Sequence, residues 1–421
     1  MKQLALHWKI LIGMALGVIF GLVMSYVAGG SQFVGDYIKP FGTIFINLLK
    51  LIAIPLILAS LIKGVSDLKD ISKLSQMGGR TILTYISTTL VAVIIGLILV
   101  NTIQPGKSIS VETRKELVEA YASDANQKRE AAAKQSSAGP LQALVDIVPS
   151  NIFAAASNNR NMLQIIFFAM FFGIGIILIP EKESTSVKSF FDSFNAVILK
   201  LIDLIMLGAP YGVFALLAAL VVEAPSLELF KALALYAITL LLGLATMIGV
   251  YALFVRVIVK KSTSFFFRGI APAQLLAFST SSSAATLPVT MECVEDNLGV
   301  DKEVTSFVLP IGATINMDGT SVYQGVAAVF IAQAFGLDLS LAAQLGIIFT
   351  ATLASIGTAA VPSAGIVMLV IVLAQAGIPE AGLALIFAID RPLDMCRTVV
   401  NVTGDAAVSM FVAKSIGKLK N

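Results

Sequence analysis

Asp390-Arg391-Pro392-Leu393-Asp394-Met395-Cys396-Arg397-Thr398-Val399-Val400-Asn401-Val402-Thr403-Gly404-Asp405 lies inside a stretch that otherwise reads as membrane-spanning. Asp390, Asp394, Arg397, Asn401 and Asp405 follow one another at steps of four, three, four and four, which on an α-helix keeps all five on one stripe. An ionised side chain near the middle of a membrane helix costs about 2.5–3.5 kcal/mol, so four imply roughly 10 kcal/mol unless protein, ions or substrate compensate. Such a stripe reads as a solute or ion pathway.

The rest of the chain supports a membrane setting. Of 421 residues, 57% are apolar and 13% charged, against about half and a quarter for a soluble globular protein. With a mean hydropathy of +0.90, the class is a polytopic, all-α membrane protein. One His and two Cys, Cys293 and Cys396, are too few for a zinc or iron-sulfur site and allow at most one disulfide, so no cofactor is expected. The net charge is only +3, and no basic patch argues for nucleic acid.

Apolar segments near 9–29, 40–62, 81–103, 141–180, 190–222 and 228–259 predict six conventional spans, the fourth broken by Pro149-Ser150-Asn151 into shorter pieces. Residues 10–28 are long enough to span and read as a first transmembrane helix, not a cleaved signal. Lys and Arg concentrate in alternate loops (Lys2, Lys9; Lys63, Lys69, Lys73, Arg80; Lys182, Lys188; Arg256, Lys260, Lys261, Arg268), which puts the N-terminus in the cytoplasm of a multi-pass cell-membrane protein. The polar loop 105–140 then falls outside.

Beyond residue 263 two segments, near 264–294 and 341–376, are rich in small and hydroxyl residues around a central proline, Pro288 and Pro362. Each predicts a re-entrant helical hairpin turning inside the membrane, tolerated where protein or a water-filled cavity surrounds it. Each is followed by a long segment that a polar run is expected to interrupt: Asn316-Met317-Asp318-Gly319-Thr320, and Asn401-Val402-Thr403-Gly404-Asp405. Paired broken segments in corresponding halves point to an inverted-repeat transporter.

Sodium wants a dry cage of oxygens, and interrupted helices free carbonyls for it. Asp318, Asp405, Asn316 and Asn401 add oxygens of the right hardness, with Tyr85, Thr88 and Thr89 as further candidates against ordinary back-bonding of their hydroxyls. Two readings compete for Arg397. It is either permanently paired with Asp394 or Asp390, or it receives a substrate carboxylate while Asp394 receives an ammonium. The second implies aspartate or glutamate. An ion channel is a further reading of the stripe; a membrane enzyme is disfavoured, since Ser281–Ser283 lacks a nearby base and His7 lies outside the membrane core.

Taken together, Ser281 to Pro288, Asn316-Met317-Asp318-Gly319-Thr320, the segment Ser355 to Gly365 and Asp390 to Asp405 resemble the dicarboxylate/amino acid:cation symporter family, which includes archaeal aspartate transporters and mammalian excitatory amino acid transporters. The resemblance covers nearly the whole chain and is closest from about residue 270 onward. It implies eight transmembrane helices plus two hairpins, and a homotrimer in the lipid bilayer whose transport domains move like elevators against a static scaffold. The scaffold would be 1–75 and 141–225; the transport domain would be 76–104 and 226–421, with the second hairpin as gate. For an acidic amino acid substrate, Arg397, Thr320 and backbone near Gly365 would hold the side-chain carboxylate. Asp394, Thr398 and the carbonyls of Ser281 and Val361 would take the amino group, and Ser283 and Asn401 the α-carboxylate. Sodium ions would bind at Asp405, Asn401, Gly312 and Asn316; at Thr314, Ser355, Ile356 and Thr358 with the Met317 sulfur; and at Tyr85, Thr88, Thr89, Asn316 and Asp318.

Departures within the resemblance refine the expectation. Arg397 and Asp394 together favour an acidic amino acid over neutral amino acids and C4-dicarboxylates, and Asp405 favours sodium over protons. Gln324 stands where mammalian carriers have a glutamate implicated in proton coupling. Family members also carry an extra arginine on the first hairpin or just after Asp394; here those positions are Ser281 and Met395, and the arginine is Arg391, one turn from Asp394. The alternative function is a proton-coupled glutamate or C4-dicarboxylate symporter.

Overall fold

The computed structural model describes residues 6–67, 75–110, 148–157, 162–223, 227–356 and 364–420. Among them the chain is helical, with a lone β-bridge between Val300 and Leu419. In order the α-helices are α1 (Leu6–Ser25), α2 (Gly30–Phe33), α3 (Lys39–Asp67), α4 (Ser75–Ile103), α5 (Ile152–Ala156), α6 (Met162–Leu178), α7 (Glu181–Leu207), α8 (Ala209–Glu223), α9 (Leu227–Phe254), α10 (Thr263–Thr280), α11 (Ser283–Glu292), α12 (Lys302–Ile315), α13 (Asp318–Ala334), α14 (Leu341–Ile356), α15 (Ala364–Gln375) and α16 (Leu383–Ser415). Most of the polar loop 105–140 lies outside the described residues, as do Thr358, Val361 and the middle of the second hairpin.

Among the described residues three stretches, Gly30–Lys63, Met77–Ser108 and Phe230–Val259, are long and apolar enough to cross a membrane, and the pair α7–α8, bent by 52°, makes up to a fourth. The first of these adds the short turns ahead of α3 to that helix. Other expected spans are divided: the segment 141–180 yields α5 and α6, and 190–222 lies across the α7–α8 bend. Asn151, predicted as a break, caps α5, its Oδ1 accepting from the N–H groups of Phe153 and Ala154.

Small residues set the closest approach. A Cβ on Gly13, Gly17 or Gly21 of α1 would stand 2.4, 2.6 and 2.8 Å from the carbonyl oxygens of Pro210, Phe214 and Ala218 on α8. Two stripes with a four-residue period therefore meet backbone to backbone, as in membrane helix pairs joined by van der Waals contact. Helices α1, α3, α6, α7 and α8 pack chiefly on one another, and α4 joins the group α9 to α16 by packing on α9, α12, α13, α14 and α16; α15 on α3 and α8 on α16 join the two groups. At the centre of the second group α13 is buried at every position from Asp318 to Ala334, the mark of a helix enclosed on all sides.

The first hairpin turns where the serines are and not at Pro288, which sits inside α11. Ser281 adopts a left-handed conformation (φ +53°), and Ser282 caps α11 by accepting the N–H of Ala285 at 3.1 Å. A non-glycine residue in that region costs about 1–2 kcal/mol. The second hairpin has α14 and α15 packed together as its arms.

The α12–α13 segment is interrupted at Asn316 and Met317, as expected. The expected interruption at Asn401–Asp405 is absent: α16 runs unbroken from Leu383 to Ser415, through Pro392 and Gly404. Asn401 bonds sideways to Gly319 of α13 and to Met317, and Asp405 to Asn316, while Thr403 bonds back to Val399 O within α16, which keeps its own backbone ladder. At its end the chain returns across the preceding elements, with Asp301 N donating to Lys418 O and Lys420 N to Gly299 O.

Candidate functional site

The continuous α16 places all five residues of the stripe on one buried face: Asp390, Asp394, Asn401 and Asp405 are at most 7% exposed and Arg397 is fully enclosed. Arg397 donates to Asp390 Oδ1 at 2.9 Å and to Asp394 Oδ1 at 2.8 Å, and its guanidinium carbon lies 3.8 Å from the Tyr323 ring centre. Arg391 donates to the other oxygen of Asp394 at 3.2 Å. Two carboxylates and two guanidiniums thus compensate one another in the interior, which a buried charge requires. Among the described residues, buried Arg397 Nε and the Tyr323 hydroxyl have no hydrogen-bond partner.

Around this group stand other predicted residues. Thr320 is 5% exposed, and a Cβ on Gly365 would meet its methyl carbon at 3.0 Å, so α13 and α15 adjoin there. The hairpin helices α10 and α11 both pack on α16; Ser281 and Ser283 are buried, and Ser281 Oγ has no partner. The Thr398 hydroxyl bonds back to the carbonyl of Asp394 at 2.9 Å.

A second cluster, rich in polar oxygen atoms, lies where α4, α9, α12, α13 and α16 converge. Asp318 accepts from Thr89 Oγ1 at 2.7 Å and from the Tyr251 hydroxyl. Asp405 Oδ1 accepts from Asn316 Nδ2 at 2.9 Å, and among the described residues the buried Asn316 Oδ1 has no donor. Gly312 is wedged beside both Asp405 and Tyr85: a Cβ would stand 2.5 Å from Asp405 Oδ1 and 2.3 Å from the Tyr85 hydroxyl. Asn401 Oδ1 accepts from Gly319 N at 2.8 Å and its Nδ2 donates to Met317 Sδ at 3.2 Å.

The hydroxyl candidates divide. Thr89 donates to Asp318; the Thr88 hydroxyl donates to Tyr85 O and also lies beside Asp318 and Tyr251, and Thr314 bonds back to Pro310 O and Ile311 O. Tyr85 donates to Val308 O at 3.2 Å. Ser355 Oγ is buried and unpaired, while Thr358 and the side chain of Ile356 lie outside the described residues. The sequence reading missed Tyr251, since nothing in the apolar run of α9 marks one tyrosine as a partner of Asp318. Among the described residues no group of three or more His, Cys, Asp and Glu is placed to hold a metal ion, and Cys293 and Cys396 are free thiols.

The chain is similar to known proteins along most of its length. The chain is 35% identical to a proton/sodium-glutamate symport protein of Geobacillus stearothermophilus over 99% of its length and 96% of the relative's. It is 38% identical to the mouse (Mus musculus) excitatory amino acid transporter 3, over 97% of this chain and 85% of that one. With the proton/glutamate-aspartate symporter of Escherichia coli K12 the identity is 34%, over 98% and 93%. The family model described as the sodium:dicarboxylate symporter family matches residues 6–415, from α1 to the end of the charged helix α16, and the chain belongs to that family of membrane proteins.

Proposed function

We propose that this chain is a secondary active symporter, not an enzyme, that moves L-aspartate or L-glutamate across the cell membrane together with sodium ions. The observation that carries the reading is Arg397, a fully buried guanidinium with an unpaired Nε, held between Asp390 and Asp394 on a membrane helix. Its planar fork suits a side-chain carboxylate, and Asp394 beside it suits an ammonium. The relatives named as glutamate or glutamate-aspartate symporters favour the same substrates. In this reading Thr320 and Gly365 complete the carboxylate pocket. Thr398, Ser281, Ser283, Val361 and Asn401 take the rest of the amino acid.

Sodium is the proposed coupling ion because the second cluster offers hard oxygens in a dry site. The undonated Asn316 Oδ1 beside Asp405, with Gly312 close by, suits a cation better than a proton relay. Asp318, Thr89 and Tyr85 would hold a further ion, and Ser355, Ile356, Thr358 and Met317 another. The two groups of mutually packed helices support an elevator arrangement, with α4 and α9 to α16 moving against the others within a homotrimer. Proton coupling is the second reading, favoured by relatives whose names include it.

Labelled L-aspartate uptake into proteoliposomes, with sodium and proton gradients imposed separately, tests the proposal. Uptake that requires sodium and ignores pH is expected. Uptake driven by a pH gradient without sodium would replace the coupling ion, and absence of saturable uptake would refute the carrier.

A further inference from the structure

Asp394 is shared between two arginines that take opposite oxygens. Arg397, one turn later, donates to Oδ1 at 2.8 Å; Arg391, one turn earlier, donates to Oδ2 at 3.2 Å. Arg391 is largely enclosed, its side chain 12% exposed. A guanidinium and a carboxylate left to themselves favour a fork of two parallel bonds. Asp394 and Arg397 form one bond, with Oδ2 drawn towards Arg391. Asp390 occupies Nη1 of Arg397 through one oxygen, and among the described residues Nε carries no partner. The donors still open on Arg397 are the ones a ligand carboxylate would use.

We propose that Arg391 is a positioning residue for acidic substrates, an inference that rests on the reading of Arg397 and Asp394 given above. By holding Asp394 Oδ2, Arg391 stops Asp394 from closing a two-bond fork on Arg397. The guanidinium of Arg397 stays open to the substrate's side-chain carboxylate, and the Asp394 carboxylate stays turned for the ammonium. Arg391 also balances charge. Without it Asp390 and Asp394 face a single buried guanidinium, and a substrate bearing two carboxylates enters a site that is already net negative.

The test compares L-aspartate KM and maximal rate for the full-length carrier, Arg391→Ala and Arg391→Lys in proteoliposomes under a sodium gradient. Arg391→Ala is expected to raise KM by about tenfold or more, the scale of one charge-assisted hydrogen bond, with the rate per folded carrier little changed. Arg391→Lys retains a cationic donor that reaches Oδ2 and recovers most of the affinity. A purely structural role would lower the amount of folded carrier and leave KM alone. KM within about twofold of the unmodified carrier in Arg391→Ala overturns this proposal by itself. Absence of saturable uptake by the unmodified carrier overturns the underlying reading of the site, and the proposal with it.

Discussion

The side-chain oxygen of Asn401 accepts the backbone N–H of Gly319 at 2.8 Å, so the first turn of α13 is capped from α16 and not by its own preceding residue, Met317. The first N–H groups of a helix have no partner within it, and a buried one must find its acceptor elsewhere. The interruption of α12–α13 and the continuity of α16 are therefore one arrangement. The broken helix exposes a donor, and the intact helix supplies the oxygen.

Gly319→Ala tests how closely these helices must approach. An added Cβ would stand 2.2 Å from the carbonyl oxygen of Arg397, and backbone cannot yield as a side-chain tip can. A destabilisation of about 1–3 kcal/mol is expected, read as a lower thermal unfolding midpoint in detergent. An unchanged midpoint would show that α13 and α16 separate freely.

Arg397→Cys leaves Asp390 and Asp394 without their main partner and removes the fork proposed for the substrate carboxylate. Breaking a buried pair costs about 3–5 kcal/mol, so a less stable carrier that no longer transports acidic substrates is expected. Small neutral amino acids are the replacement substrates to try. Aspartate affinity equal to that of the unmodified carrier would remove Arg397 from the site.

Asp405→Asn keeps the shape of the side chain while discharging it beside Asn316 and Gly312. Half-maximal sodium for aspartate uptake is expected to rise about tenfold or more, since a hard cation loses its charged ligand. A superimposable sodium titration would take Asp405 out of the ion site.

Thr89→Val preserves volume but removes the donor 2.7 Å from Asp318. Losing one hydrogen bond to a charged group costs about 1.5–3 kcal/mol. Because Tyr251 still donates to Asp318, the fold is expected to persist while sodium affinity falls. Equal sodium dependence in the two proteins would reduce Thr89 to a packing residue.

Truncation after Ser415 removes the return strand that bonds to residues 299 and 301 and carries Lys418 to Glu303. These contacts lie away from the charged stripe, so thermal stability should drop while KM for aspartate holds. A changed KM would tie this end of the molecule to the site.

Much of this was legible along the chain. The steps between Asp390 and Asp405 placed five polar side chains on one face, and α16 buries all five. The hydroxyl-rich run at Ser281 announced a turn, and the chain turns there, with Ser282 capping the next helix and Pro288 inside it. The glycine stripe of α1 went unread because its meaning depends on the backbone of α8 that meets it. The expected break at Asn401–Asp405 failed because composition reports polar groups, not whether their partners lie along the chain or across it.

By itself, the sequence determined an all-α membrane protein with a charged, transport-like stripe, since hydropathy and helical period are properties of neighbouring residues. Tertiary structure alone decided which charges meet. Arg397 bonds Asp390 as well as Asp394, Arg391 takes the remaining oxygen of Asp394, and Thr89 reaches Asp318 across 229 positions of chain. Hydrogen bonds depend on distances of about 3 Å, and a linear pattern cannot specify these between helices brought together by the packing of all the others.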